Sequence, residues 1–77
     1  MKDLLKFIVE NITGDSKFDI EETSQDGRTD YLIMAPKETV GMIIGKEGRT
    51  IRAIRNLIKV RATLESIAVT VSVEEKD

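Results

Sequence analysis

Two rhythms of apolar residues run along this chain, and they mark out its elements. Between residues 2 and 12, Leu4, Leu5, Ile8, Val9 and Ile12 fall at i, i+1, i+4, i+5 and i+8, a single buried stripe on one helix. Gly14 is placed to end it. Phe18 and Ile20 then alternate with Asp19 and Glu21, the period of a half-buried strand. Ser24-Gln25-Asp26-Gly27 reads as a turn, with Asp-Gly as its hairpin signal. Thr29 to Ala35 forms a second strand, with Tyr31, Ile33 and Ala35 on one face and Leu32 and Met34 on the other. Pro36 ends that strand and sits near a helix start, where its missing N–H costs little. Lys37 to Ile44 makes about two helical turns before Gly45 breaks the pattern, and a longer helix spans roughly Gly48 to Leu64. On that helix Ile51, Ile54, Leu57 and Ile58 are expected to face inward, while Arg49, Arg52, Asn56 and Lys59 share another face. Ile67, Val69, Val71 and Val73 alternate with Ala68, Thr70 and Ser72, a last strand, and residues 74–77 read as a solvated tail.

The resulting order, α-β-β-α-α-β, predicts an α+β fold in which a three-stranded sheet carries three helices on one face, so that every apolar stripe is covered. Residues 1–77 read as one small domain, without linker, repeat or low-complexity segment.

Composition narrows the chemistry. With no cysteine there is no disulfide framework and no thiolate metal site, and with no histidine the commonest metal ligand is missing. No metal and no cofactor are expected, and a reducing cytoplasm is permitted. The apolar runs are too short to cross a bilayer, and Met1-Lys2-Asp3 opens an amphipathic segment instead of a signal peptide. The net charge is only −2, but it is unevenly spread. Residues 46–61 carry six cations against Glu47 alone, a net +5, and the rest of the chain carries −7. A basic helix on an acidic body is a local footprint for an anion, although such a stripe can equally be a solvated helix face.

What gives the stripe a function is where it begins. The segment Ile43-Ile44-Gly45-Lys46-Glu47-Gly48-Arg49-Thr50-Ile51-Arg52 reads as a helix end, a glycine-bounded loop and an arginine-rich helix start. Glycines admit positive φ and let a polyanionic backbone approach without Cβ interference. A helix start adds free N–H groups and a positive dipole end. Taken bare, two glycines three apart could also be no more than a corner between two helices.

With this motif inside the α-β-β-α-α-β order, the chain resembles a type II KH domain. Over its whole length it is similar to the small bacterial single-KH RNA-binding proteins of the KhpA type, the closer match lying in Ala35-Pro36, the glycine loop and Ala53-Ile54-Arg55. The resemblance implies a cytoplasmic single-stranded-RNA-binding protein acting in post-transcriptional regulation as an RNA chaperone. It also implies self-association or pairing with a larger, multidomain KH protein. Residue by residue, the loop would be Gly45, Lys46, Glu47 and Gly48, clamping about four nucleotides, with Ile44, Arg49, Ile51 and Arg52 flanking it. Glu47 departs from what a phosphate path would favour; it either weakens backbone contact or turns away to cap the following helix.

Loop N–H groups with Lys46 and Arg49 would then fix the backbone without reading sequence. Bases would lie in a groove between the second and third helices and the neighbouring strand, meeting side chains such as Arg52. Ile44 and Ile51 could serve the core as readily as the groove. Phe7, Phe18 and Tyr31 are too few and too scattered for a stacking platform. A nucleotide-binding P-loop fails because only three residues separate Gly41 from Gly45, and Glu47 stands where a magnesium-binding hydroxyl belongs. No histidine, cysteine or paired carboxylates suggest a hydrolase, so the chain reads as a binder, not an enzyme, with no small-molecule substrate. Two alternatives stay open: a KH-fold protein-interaction module with little RNA affinity, and a single-stranded-DNA binder.

Overall fold

The computed structural model describes residues 1–76. Its elements follow the expected order: α1 (Lys2–Thr13), β1 (Asp19–Gln25), β2 (Arg28–Ala35), α2 (Lys37–Ile44), α3 (Arg49–Leu64) and β3 (Ala68–Glu75). A single 3₁₀ turn, Lys46–Gly48, joins α2 to α3. The sheet order is β1-β2-β3, antiparallel between β1 and β2 and parallel between β2 and β3. The parallel pair requires a crossover, and α2 and α3 supply it.

The first hairpin is tighter than the sequence suggests. Gln25 pairs directly with Arg28, leaving only Asp26 and Gly27 in the turn. Both have positive φ, 50° and 78°, the backbone of a two-residue turn whose twist matches the strands. β2 is the central strand, and its alternation decides the two faces. Thr29, Tyr31, Ile33 and Ala35 are buried under the helices, while Asp30, Leu32 and Met34 lie half-buried on the opposite face. Leu5 and Val9 of α1, Ile43 of α2, Ile51, Ile54 and Ile58 of α3 and Val71 of β3 complete the core. Burial pushes the Tyr31 phenol above its ordinary pKa, and the carboxylate of Glu22 beside it adds to the effect. On the open face, Thr70 and Arg28 both donate to Asp30 and hold its carboxyl below the usual range.

Two expectations need correction. Leu57 does not face inward; it is 55% exposed, and Ala62 takes the inward place instead. The buried set is Ile51, Ile54, Ile58 and Ala62, a three- and four-residue stagger, and Leu57 stands one residue (about 100°) off that line. Residues 74 and 75 are not tail either. Glu74 and Glu75 pair with Met34 and Ala35, and the Lys76 N–H donates to the Ala35 carbonyl at 2.8 Å. Asp77, the remainder of the expected tail, lies outside the described residues.

Candidate nucleic-acid interface

The interface is built around the break between α2 and α3. The Gly45 N–H donates to the Gly41 carbonyl at 2.9 Å and closes α2. The chain then turns at Gly45 with φ 73° and ψ 176°. A Cβ at this position would lie 2.1 Å from Oγ1 of Thr50, so the helix start itself occupies the space a side chain would need. Glu47 and Gly48 follow in left-handed conformations, φ 57° and 74°. The Gly48 N–H donates back to the Gly45 carbonyl at 3.2 Å, and the Arg49 N–H to that of Lys46. The N–H groups of Lys46 and Glu47 have no backbone acceptor among the described residues, so they are the loop's free donors. α3 starts without any side-chain cap and without an acidic residue in its first turn. No side chain of α3 itself therefore offsets its positive end.

Glu47 does not cap that helix. Its carboxylate lies 3.6 Å from the Arg49 guanidinium, both side chains largely in solvent. Such an exposed pair is worth little and breaks readily when a stronger anion arrives. Arg61 pairs with Glu65 at 2.8 Å. Lys46, Arg52, Arg55 and Lys59 have no carboxylate at ion-pair distance among the described residues.

Beyond the loop, a groove of about 470 Å³ lies between α3 and β3. Arg52, Arg55, Asn56 and Lys59 line one wall, and β3 from Val69 to Ser72 lines the other. The strand is held against the helix by the Arg55 side chain, whose Nε–H donates to the Val71 carbonyl at 2.9 Å.

Of the residues expected at the site, Gly45, Lys46, Glu47, Gly48 and Arg49 come together in the loop, and Arg52 joins them on the groove wall. Ile44 is 36% exposed beside the loop and available for contact. Ile51 is not: at 6% exposure it belongs to the core and acts by fixing α3. The basic stripe over residues 46–61, which the sequence allows to be a solvated helix face, includes Arg55 and Lys59, and the fold places both on the groove wall. The signal was present in the spacing of Arg52, Arg55, Asn56 and Lys59 at i, i+3, i+4 and i+7, one helix face. That this face looks at β3 is a tertiary fact.

Among the described residues no helix is long and apolar enough to cross a membrane, and no cluster of metal-ligating side chains occurs. Comparison with known proteins agrees with the geometry. The family model KhpA/KhpB, KH domain, matches residues 2–76. The RNA-binding protein KhpA of Chlamydia caviae is 36% identical over 76 residues, 97% of each chain. The RNA-binding protein KhpA of Chlamydia trachomatis is 34% identical over 77 residues, 99% of each chain. That of Thermotoga maritima is 36% identical over 59 residues, 75% of this chain and 79% of its own. With its α-β-β-α-α-β order, mixed three-stranded sheet and glycine loop, the chain has a type II KH fold and belongs to the KhpA/KhpB KH-domain family.

Proposed function

We propose that this protein binds single-stranded RNA, holding about four nucleotides along the glycine loop and the α3–β3 groove. The observation that carries this reading is the continuity of unpaired positive potential. Free N–H groups at Lys46 and Glu47, an uncapped helix start and the unpaired cations Lys46, Arg52, Arg55 and Lys59 lie along one path. The loop and helix end take the phosphates, Arg49 leaving Glu47 to join them, and the groove takes the bases. The chain acts by binding, in post-transcriptional regulation and RNA chaperoning, and a cytoplasmic location goes with that role.

Fluorescence anisotropy with a labelled mixed-sequence RNA, titrated across ionic strength, tests the reading. If about three phosphates are neutralised, log affinity falls with log salt with a slope of roughly −2. Binding that persists with a slope near zero overturns the electrostatic clamp. Competition with the matched DNA strand decides whether the 2′-hydroxyl contributes.

One further observation favours a protein partner alongside the RNA. Ala53, Leu57, Val60 and Leu64 form an exposed apolar stripe on α3, with Leu57, Val60 and Leu64 55%, 63% and 78% accessible. It lies on a different side of α3 from the groove wall. We read it as the seam of a homodimer, or of a heterodimer with a larger multidomain KH protein. Either assembly leaves the groove open and gains from two linked sites.

A further inference from the structure

The groove wall contains one side chain whose position is fixed at both ends. Arg55 leaves α3 between the buried residues Ile54 and Ile58, so its Cα cannot shift without disturbing the core. Its Nε–H is bonded to the Val71 carbonyl at 2.9 Å, and the Val71 side chain is itself buried at 4% exposure. β3 is an edge strand that pairs with β2 alone, so this carbonyl faces the groove and not another strand. The guanidinium is thus tethered through Nε. Its two Nη groups make no hydrogen bond and meet no carboxylate at ion-pair distance among the described residues. A planar fork of N–H donors held in one orientation recognises two adjacent acceptors and little else.

Arg55 stands six residues beyond Arg49, about 9 Å further along the helix axis. It is therefore out of reach of a phosphate seated on the loop amides, and Lys46, Arg49 and Arg52 already supply cations nearer the loop. What remains in front of it is the space where bases enter.

We propose that Arg55 determines base preference in the groove, favouring a base that offers two adjacent acceptors. Guanine does so through O6 and N7, and cytosine through O2 and N3. Adenine sets a donor beside each acceptor on its exposed edges, and uracil separates its two carbonyls by an N–H. The inference rests on the RNA-binding reading above and names what that site selects. It also assigns Val71 a role, because its carbonyl orients the fork.

The test is a set of short labelled oligouridylates, each with one central position changed to guanine, cytosine or adenine, beside the unchanged strand. A single substitution lets the strand slide until the favoured base meets Arg55. Wild type is expected to bind the guanine and cytosine strands roughly tenfold more tightly than the other two. Replacing guanine by 7-deazaguanine, which lacks N7 alone, is expected to remove most of its advantage. Arg55→Lys keeps the charge and loses the fork, so all four strands should bind within about twofold of one another. Arg61→Lys, paired with Glu65 away from the groove, keeps the wild-type order. Melting curves of both variants establish that they fold. Arg55→Lys retaining the full preference would mean that Arg55 touches phosphate only, and the proposal fails. Wild type binding all four strands alike also defeats it and leaves RNA binding standing. Wild type binding none defeats both.

Discussion

Gly45 is the position at which local backbone and tertiary packing both forbid a side chain. Its φ of 73° disfavours L-residues, and a Cβ would collide with Thr50. Gly48 has nearly the same φ, 74°, but its ψ of 15° makes it αL, while the ψ of 176° at Gly45 is essentially confined to glycine. Nothing lies within 4 Å of where the Gly48 Cβ would be. The two alanine variants should therefore differ. Gly48→Ala is expected to cost about 1–2 kcal/mol, the left-handed penalty alone. Gly45→Ala adds displacement of the α3 start and should cost at least about 1–2 kcal/mol more. Urea unfolding of both proteins measures the difference, and equal costs would contradict the claim that backbone and packing both require glycine at position 45. The spacing of the two glycines was legible in the sequence; their inequality was not, because the clash comes from a residue brought in by the helix start. Glu47 illustrates the same boundary. Sequence raised its misplaced charge and left open whether it weakens backbone contact or turns away to cap the following helix, and the geometry gives an exposed pair with Arg49 and no cap.

At the scale of elements, periodicity was a sound guide to the bounds of most helices and strands. α1, β2 and α2 fall within one residue of their expected bounds, although Ile12 of the α1 stripe is 39% exposed and β2 carries half-buried Leu32 and Met34 on its second face. α3 is different: it carries two apolar stripes, and only one meets the core. Leu57 and Ile58 are neighbours in sequence with opposite fates, 55% and 0% exposed. Ile58→Ala should cost about 2–5 kcal/mol by opening a cavity, a large share of the stability of so small a domain. Leu57→Ala should leave monomer stability within about 0.5 kcal/mol and instead weaken self-association, seen as a lower mass in light scattering. A Leu57→Ala protein that unfolds like Ile58→Ala would show that the second stripe is core after all. The end of β3 was misread for another reason. Glu74 and Glu75 look like tail by composition, but strand pairing is made by backbone groups that composition does not report.

For the whole molecule, the distribution of charge says more than its sum. Cross-strand register brings Asp19, Glu21, Asp30 and Glu74 to the face of the sheet opposite the helices, around Leu32 and Met34. The unpaired cations line the groove between α3 and β3 and the loop before it. Arg28 and Lys76 pair with Asp30 and Asp19 there, which leaves that face only mildly acidic, while the groove draws a polyanion, a steering effect that salt weakens. The segregation into a basic segment and an acidic remainder was visible in the sequence. Its arrangement on separate faces had to come from the fold.

The central claim is that the glycine loop holds RNA, and it is tested most directly by making the loop acidic without disturbing its backbone. Asp is among the residues that tolerate left-handed φ, so Glu47→Asp suits the conformation at that position. Lys46→Asp beside it turns a cation into an anion at the free N–H groups. Anisotropy of a labelled single-stranded RNA, measured for wild type and for the Lys46→Asp, Glu47→Asp double variant once circular dichroism shows both folded, decides the matter. The account predicts tight binding by wild type at low salt and a loss of at least about tenfold in the variant, the value of one charge-assisted contact reversed. Equal binding by the two proteins would contradict it.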